Sequence, residues 1–208
     1  MRIIFINTPG HSQSTVLGAL LSNLPKSICI GESYNLFTRD LSLRGPESTN
    51  EYCSCGKPYA ACSFWKPFFQ SQLPDLNTHY KKLISIADNQ GFSTIIETCS
   101  KPACRELWLE QGLDMVILTM RRPFNRWLQS MRNAEKRVNA PSKSFLFYLK
   151  DYYITKVWKR RLLSIGHKVD FGMLEEIIGW EDQKHHIAIG NRCKYDLPGA
   201  NLPAKLIK

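Results

Sequence analysis

The sequence predicts an α/β fold in which a parallel sheet is flanked by helices. Short β-branched runs recur through the first half of the chain, helical patterns separate them, and polar loops follow several of them. Strands that alternate with helices form a parallel sheet because each helix carries the chain back along one face. The loops that follow the strands should therefore meet at one edge of the sheet.

Four segments have the composition of strands. They are Arg2 to Asn7, Ser27 to Ile30, Ser93 to Ile96 and Asp114 to Thr119. A helical pattern from Ser14 to Leu24 follows the first of them, with leucines recurring on one face. The chain is therefore expected to begin with a strand, a loop and a helix.

Two further helical patterns occupy the second half of the chain, from Phe124 to Arg137 and from Lys143 to Leu163. The second mixes aromatic and basic residues, which is also typical of a nucleic-acid-binding surface. A period of 3.6 residues favours instead a helix that packs on one side and is cationic on the other. The expected packed side comprises Leu146, Leu149, Tyr153 and Val157.

The domain organisation is expected to be simple, with one domain over residues 1–195 and a loose tail at 196–208. The segment at about 45–67 shows no clear period and is predicted to be an irregular insertion over the sheet. It contains Cys53, Cys55 and Cys62. A C-x-C pair without an evident fourth ligand does not match a standard zinc finger, so we interpret a structural cysteine loop and expect no metal.

The charge balance indicates an anionic partner. The chain has 208 residues, with 28 Lys and Arg against 18 Asp and Glu, and a formal net charge of +10. A phosphorylated small molecule, a nucleic acid or a membrane surface would each suit this excess. No apolar run approaches the roughly 20 residues that span a bilayer, and the first residues do not resemble a signal peptide. The odd count of seven cysteines then favours reduced thiols and a cytoplasmic location without membrane insertion.

The loop from Thr8 to Thr15 is the first candidate site. It joins a strand to a helix N-terminus, where free backbone N–H groups and the helix dipole attract phosphate or sulfate. Ser12, Ser14 and Thr15 add hydroxyl donors. The loop lacks the Gly-Lys-Ser/Thr ending of nucleoside triphosphatases. An ordinary turn capped by Ser or Thr explains the same residues equally well.

Further segments resemble the sulfotransferases that use 3′-phosphoadenosine 5′-phosphosulfate, particularly the bacterial members. They are the Ser14-Thr15 helix start, Ile30-Gly31-Glu32, Glu97 to Pro102, Arg121-Arg122-Pro123 with Ser130, Cys53 to Trp65, and His185 to Arg192. The resemblance covers about residues 2 to 195. It implies the P-loop nucleotide-binding architecture of that family, with the phosphosulfate donor as co-substrate.

The resemblance also implies which residues bind the donor. The 5′-phosphosulfate would lie against Gly10, His11, Ser12, Gln13, Ser14 and Thr15. His11 stands where the family usually has Arg or Lys, and Gln13 where it usually has Gly. Unlike Arg or Lys, a histidine such as His11 is fully charged only below a pKa of roughly 6.5. Arg121 and a helical donor, either Ser130 or Gln129, would hold the 3′-phosphate, and Arg192 is a further binding residue.

Three residues are candidates for catalysis by the same resemblance. Lys101 would neutralise charge on the leaving phosphate, and His11 would contact the transferred sulfuryl group. Glu32 would take the acceptor's proton, although an uncertainty of one residue also admits Ser33. Glu97 is expected to brace the loop rather than touch substrate. His185 and His186 are weaker candidates for the base.

The resemblance implies transfer of a sulfuryl group to a hydroxyl or amine of a small-molecule, carbohydrate or peptide acceptor. Nucleic acid is not the expected partner. The alternative is a nucleotide-binding or nucleic-acid-binding module of the same fold that has lost the chemistry, and the substitutions at His11 and Gln13 are its main support. Only the first hypothesis predicts release of the 3′,5′-bisphosphate from the donor.

Overall fold

The computed structural model describes residues 1–8, 14–22, 24–38, 61–69, 75–99, 101–120, 122–137, 139–163 and 167–169. Within these ranges the strands are β1 (Arg2–Ile6), β2 (Ser27–Gly31), β3 (Thr94–Glu97), β4 (Asp114–Met120) and β5 (His167–Val169). The helices are α1 (Ser14–Leu21), α2 (Ser33–Thr38), α3 (Lys66–Phe69), α4 (Leu76–Asn89), α5 (Pro102–Glu110), α6 (Phe124–Arg137) and α7 (Phe145–Leu163).

The strands form one sheet in the order β2-β3-β1-β4-β5, and every adjacent pair is parallel. In the register of the central strand β1, Phe5 is opposite Glu97 of β3, and Ile6 is opposite Leu118 of β4. The expected α/β fold with a parallel sheet flanked by helices is confirmed.

Helices cover both faces of the sheet, which explains why the central strands are continuous apolar runs. On one face Ile3, Phe5 and Ile95 belong to the same core as residues of α4 and α5. On the other face α1 packs against the sheet, where an added Cβ on Gly18 would lie 2.8 Å from both Cys29 Sγ and Thr98 Cγ2. Because glycine has no side chain, α1 can approach the strands this closely.

The chain changes direction at the middle of the sheet. From β1 it crosses to β2 on one side, whereas from β4 it continues to β5 on the other side, although β1 and β4 are neighbours. The connections that leave these two strands therefore diverge. In open α/β sheets ligands bind in the crevice at such a point, outside the carboxyl ends of the strands.

The predicted packed side of the last helix is wrong at Leu146 and Tyr153, whereas Leu149 is half-buried and the side chain of Val157 lies outside the described part of the structure. Leu146 is 73% exposed and Tyr153 is 51% exposed, whereas Tyr148 and Tyr152 are buried against Trp127 of α6. The two buried tyrosines place their hydroxyls on polar partners, Glu135 and the carbonyl of Arg122. These hydrogen bonds allow Tyr148 and Tyr152 to be buried on the packed side of α7.

The described residues 61–69 include the end of the predicted insertion, and several of them belong to the core. Cys62, Phe64 and Trp65 are buried, and Trp65 packs edge-on against Phe64 and Phe68. Cys53 and Cys55 lie outside the described residues. The described cysteines at 29, 62, 99 and 104 are not joined in disulfides. Among the described helices, none combines the length and the apolar character that crossing a bilayer requires.

Candidate functional site

Buried polar side chains concentrate at the carboxyl edge of the sheet. They follow or end β1, β2, β3 and β4, and they are Asn7, Thr8, Ser33, Glu97, Thr98, Thr119 and Arg122. Burying a polar group is costly unless it finds a partner, so such a concentration marks a region that packing alone does not explain. This edge is also where the strand topology predicts a binding crevice.

Glu97 is the centre of this polar layer. Its side chain is fully buried at the end of β3. One carboxylate oxygen accepts from the backbone N–H groups of Ser33 and Cys99, each at 3.1 Å. The other accepts from the Ser33 hydroxyl and from the Trp108 indole N–H, the latter at 3.3 Å. Four donors on two oxygens satisfy the buried carboxylate.

Burial nevertheless raises the pKa of Glu97 from 4.5 to about 7. The cost of desolvating a charge is the main cause, the hydrogen bonds from Ser33 and Trp108 act in the opposite direction, and the nearby negative charge of Glu32 raises the pKa further. Glu97 and Glu32 therefore lie close enough to interact electrostatically.

Glu97, Cys99 and Cys104 also have ligand atoms within 4.8 Å of one another. Thiols bind metals as thiolates, but burial raises the pKa of Cys104 above its ordinary value and so opposes deprotonation. Both Glu97 oxygens already accept hydrogen bonds. The Cys104 thiol lies 3.2 Å from the Tyr80 hydroxyl, which in turn contacts Ser33. We interpret the group as a hydrogen-bonded network that supports the loops.

The Glu97 hydrogen bonds tie two loops together. Ser33 begins α2 just after the end of β2, and Cys99 lies on the loop between β3 and α5. Gly31, the last residue of β2, has φ 72°, a conformation that favours glycine, and its carbonyl accepts from Thr98 N–H at 2.9 Å. The loops after β2 and β3 are thus held side by side.

Each of these two loops presents a charged side chain to solvent. Glu32 directly follows β2 and is exposed. Lys101 is the N-cap residue of α5, is exposed, and is followed by Pro102 in the first turn. Its Nζ lies 5.0 Å from the centroid of the Tyr34 ring. Ser33, the alternative to Glu32, is buried, and its hydroxyl is bonded to Glu97.

The first predicted loop leaves β1 at the same edge. Thr8 is buried, and its hydroxyl has no hydrogen-bond partner among the described residues. Ser14 is half-buried at the start of α1. The backbone of Thr15 also lies in the first turn of α1. The residues at 9–13 between Thr8 and Ser14 lie outside the described part of the chain.

The residues expected for the 3′-phosphate, Arg121 with Ser130 or Gln129, follow β4 in the chain. Arg122 is buried there, and its carbonyl accepts from the Tyr152 hydroxyl at 3.0 Å. On the following helix α6, Ser130 is half-buried and Gln129 is exposed. Arg121 lies outside the described residues.

The described structure thus brings Glu32 and Lys101 to one edge of the sheet, where Ser14 also begins α1. Several predicted residues lie outside the described ranges: Gly10, His11, Ser12, Gln13, Arg121, His185, His186 and Arg192. Sequence reasoning missed Tyr34, and although it placed Thr8 at the start of the first candidate loop, it gave that residue no role of its own. Only the position of Thr8 directly after an apolar strand could have indicated it, whereas nothing in the sequence connects Tyr34 with Lys101.

The fold and the site define an α/β protein with a layer of buried polar side chains at the carboxyl edge of a parallel sheet. No protein-family model matches the chain, and no curated protein matches it. Among solved structures, the tunicamycin resistance protein of Deinococcus radiodurans is similar, with a TM-score of 0.46 and 18% identity. The match covers 86% of this chain and 96% of that one.

Proposed function

We propose that this protein transfers a sulfuryl group from 3′-phosphoadenosine 5′-phosphosulfate to a hydroxyl or amine acceptor. The observation that supports this most is the placement of an exposed carboxylate and an exposed ammonium on adjacent loops, Glu32 after β2 and Lys101 after β3. One buried carboxylate, Glu97, holds both loops through Ser33 and Cys99. A general base and a cation on neighbouring loops are suited to sulfuryl transfer to a hydroxyl, the base for the acceptor's proton and the cation for the charge on the leaving phosphate.

The step is an in-line displacement at sulfur. The acceptor oxygen or nitrogen forms a bond to sulfur while the bond from sulfur to the bridging phosphate oxygen breaks. The leaving 3′,5′-bisphosphate keeps that electron pair, and the acceptor's proton passes to the Glu32 carboxylate. The Lys101 ammonium neutralises the charge that develops on the leaving phosphate.

The donor's phosphates have suitable partners at the same edge. The N-terminal end of α1 offers backbone N–H groups and the positive end of a helix dipole. The buried Thr8 hydroxyl, which no described residue satisfies, lies at the start of the loop that leads to this helix. The net charge of +10 favours a donor that carries several negative charges.

The resemblance of the motifs assigns the remaining contacts. The residues at 10–13 would surround the phosphosulfate, and Arg121 with Ser130 or Gln129 would hold the 3′-phosphate. The buried Arg122 adds a second positive charge at the end of β4. The acceptor is expected to be a small molecule, a carbohydrate or a peptide, and the reaction needs no metal.

The test is release of 3′,5′-bisphosphate from a sulfur-labelled donor in the presence of phenolic, sugar and peptide acceptors. We expect release that depends on acceptor and falls sharply in Lys101→Ala, which also controls for contaminating enzymes. If the bisphosphate stabilises the protein against heat without any release from the donor, the protein is a binding module and the proposed reaction is wrong.

A further inference from the structure

We propose that the Tyr34 ring positions the Lys101 ammonium for its role at the leaving group, an inference that rests on the function proposed above. The geometry is direct, because Nζ lies 5.0 Å from the ring centroid. A cation within about 6 Å of an aromatic face is attracted by the electron density of the ring. Tyr34 does not need to touch the donor or the acceptor to act in this way.

The Tyr34 ring is itself held in place, by packing on one side and through its backbone. Tyr34 is half-buried and packs against the hydrophobic core formed by residues of the sheet, α4 and α5. It is the second residue of α2, directly after Ser33, whose N–H and hydroxyl are both bonded to Glu97. One side of the ring is thus fixed by packing, and its backbone is fixed by the buried carboxylate.

Lys101 needs such a contact because little else in the described structure holds its side chain. The residue is exposed, and as the N-cap of α5 it makes no side-chain capping hydrogen bond. A free lysine side chain samples many rotamers, so holding it near the leaving group avoids an entropic loss during the reaction. The contact with Tyr34 restricts the ammonium to the side of the loop that faces α2.

Two variants separate the ring from the hydroxyl. Tyr34→Phe keeps the aromatic face, whereas Tyr34→Leu keeps apolar packing but removes the attraction for the cation. We expect Tyr34→Leu to lower kcat about two- to fivefold, which is the range that an exposed cation–π contact supports, with little change in the KM of the acceptor. Tyr34→Phe should restore most of the rate.

The double variant and a magnetic resonance measurement complete the test. In a Lys101→Ala background, Tyr34→Leu should cause no additional loss, because the group that the ring positions is absent. The ε-methylene protons of Lys101 should show an upfield ring-current shift in the unchanged protein and in Tyr34→Phe, and no such shift in Tyr34→Leu.

Each result decides one of the two proposals. Equal rates in all Tyr34 variants, an equal loss in Tyr34→Phe and Tyr34→Leu, or a further loss in the Lys101→Ala background would overturn the role of Tyr34. If the unchanged protein releases no bisphosphate at all, the proposed function fails. The positioning of Lys101 by Tyr34 is then supported if the ring-current shift is present in the unchanged protein and in Tyr34→Phe but not in Tyr34→Leu. It is overturned if the unchanged protein shows no such shift.

Discussion

Two carboxylates on neighbouring strand ends experience opposite environments. Glu97 ends β3 and is fully buried with four hydrogen-bond donors around it, whereas Glu32 follows β2 and is exposed. The donors of Glu97 include the backbone N–H of Ser33, the residue after Glu32. The buried carboxylate therefore controls where the exposed one is placed.

The comparison suggests a division of work by depth. Both Glu97 oxygens are already saturated by protein donors, and a fully buried group cannot reach a bound molecule. Glu32 and Lys101 are accessible and can exchange protons and charge with a ligand. We call Glu97 and its hydrogen-bond donors the buried layer, and Glu32 with Lys101 the exposed layer. We expect changes in the buried layer to alter stability, and changes in the exposed layer to alter turnover.

Removing the exposed cation should have one of the two largest effects on turnover. Lys101→Ala should lower turnover by about 100- to 1,000-fold, because it removes the ammonium that neutralises the charge developing on the leaving phosphate. The loss of an oxyanion-hole donor has an effect of this size. The free energy of unfolding should change little, since the side chain is exposed. Initial rates of bisphosphate release measure the first quantity, and denaturant unfolding the second.

The matched control for this variant is Lys81→Ala, which removes an exposed lysine from α4. Its turnover should equal that of the unchanged protein. Equal losses in both variants would show that net charge, and not the position of Lys101, determines the rate.

The second effect concerns the pH dependence of stability through Glu97. Its pKa is raised from 4.5 to about 7, so the folded protein holds a proton that the unfolded chain loses between these values. The resulting stabilisation is fully present below pH 4.5 and is lost as the pH rises through 7, and it corresponds to about 3 kcal/mol at most. Glu97→Gln should remove this part of the pH dependence.

Urea unfolding at pH 5 and pH 7.5 measures the difference. Glu97→Gln is expected to be less stable than the unchanged protein at both values, because an amide cannot accept all four hydrogen bonds. Only the change between the two pH values is diagnostic, with the exposed Glu110→Gln as control. If the free energy of unfolding of Glu97→Gln changes as much between the two pH values as that of the unchanged protein, Glu97 stays ionised in the folded protein. The hydrogen bonds to its carboxylate would then outweigh the cost of burying the charge.

The third effect is on ligand affinity at the end of β4. Adenosine 3′,5′-bisphosphate should bind more tightly than adenosine 5′-phosphate by about 1.5 to 3 kcal/mol, the cost of losing a charge-assisted contact. Arg121→Ala should reduce this preference. Calorimetric titration with both nucleotides provides the comparison, and equal affinities would remove the case for a 3′-phosphate site.

The smallest effect tests the close approach of α1. In Gly18→Ala the new Cβ would meet Cys29 Sγ and Thr98 Cγ2 at 2.8 Å, so these side chains or the helix must move. Overpacking costs about 1 to 3 kcal/mol, and the better helix propensity of alanine offsets about 1 kcal/mol of it. A net loss of about 1 kcal/mol in urea unfolding is expected, and a gain would show that α1 has room to shift.

Much of the sheet could be predicted from the sequence. Each predicted limit of β1, β2, β3 and β4 lies within one residue of the observed limit, because buried parallel strands are continuous β-branched runs bounded by polar residues. β5 was not predicted, since three residues at the sheet edge form no such run. The packed side of α7 was predicted wrongly at Leu146 and Tyr153, because the pattern does not show that the hydroxyls of Tyr148 and Tyr152 find polar partners when buried.

The site was less accessible to sequence reasoning. Strand ends could be located, and with them Glu32 and Lys101, because parallel strands place their following loops at one edge. The partners of Glu97 could not, since Ser33 and Trp108 come from two different helices, α2 and α5, and only tertiary packing brings them together. Tyr80 of α4 joins the network through Ser33. Nor could the contact of Tyr34 with Lys101 be predicted.

The most direct test of the division between the two layers is Glu32→Gln, with turnover and unfolding measured on the same preparation. The variant keeps the shape of the side chain and removes the base. Bisphosphate release should fall by roughly 100- to 10,000-fold, while the free energy of unfolding changes by less than about 0.5 kcal/mol. Turnover close to that of the unchanged protein would contradict the account, because the exposed carboxylate would then have no part in the chemistry.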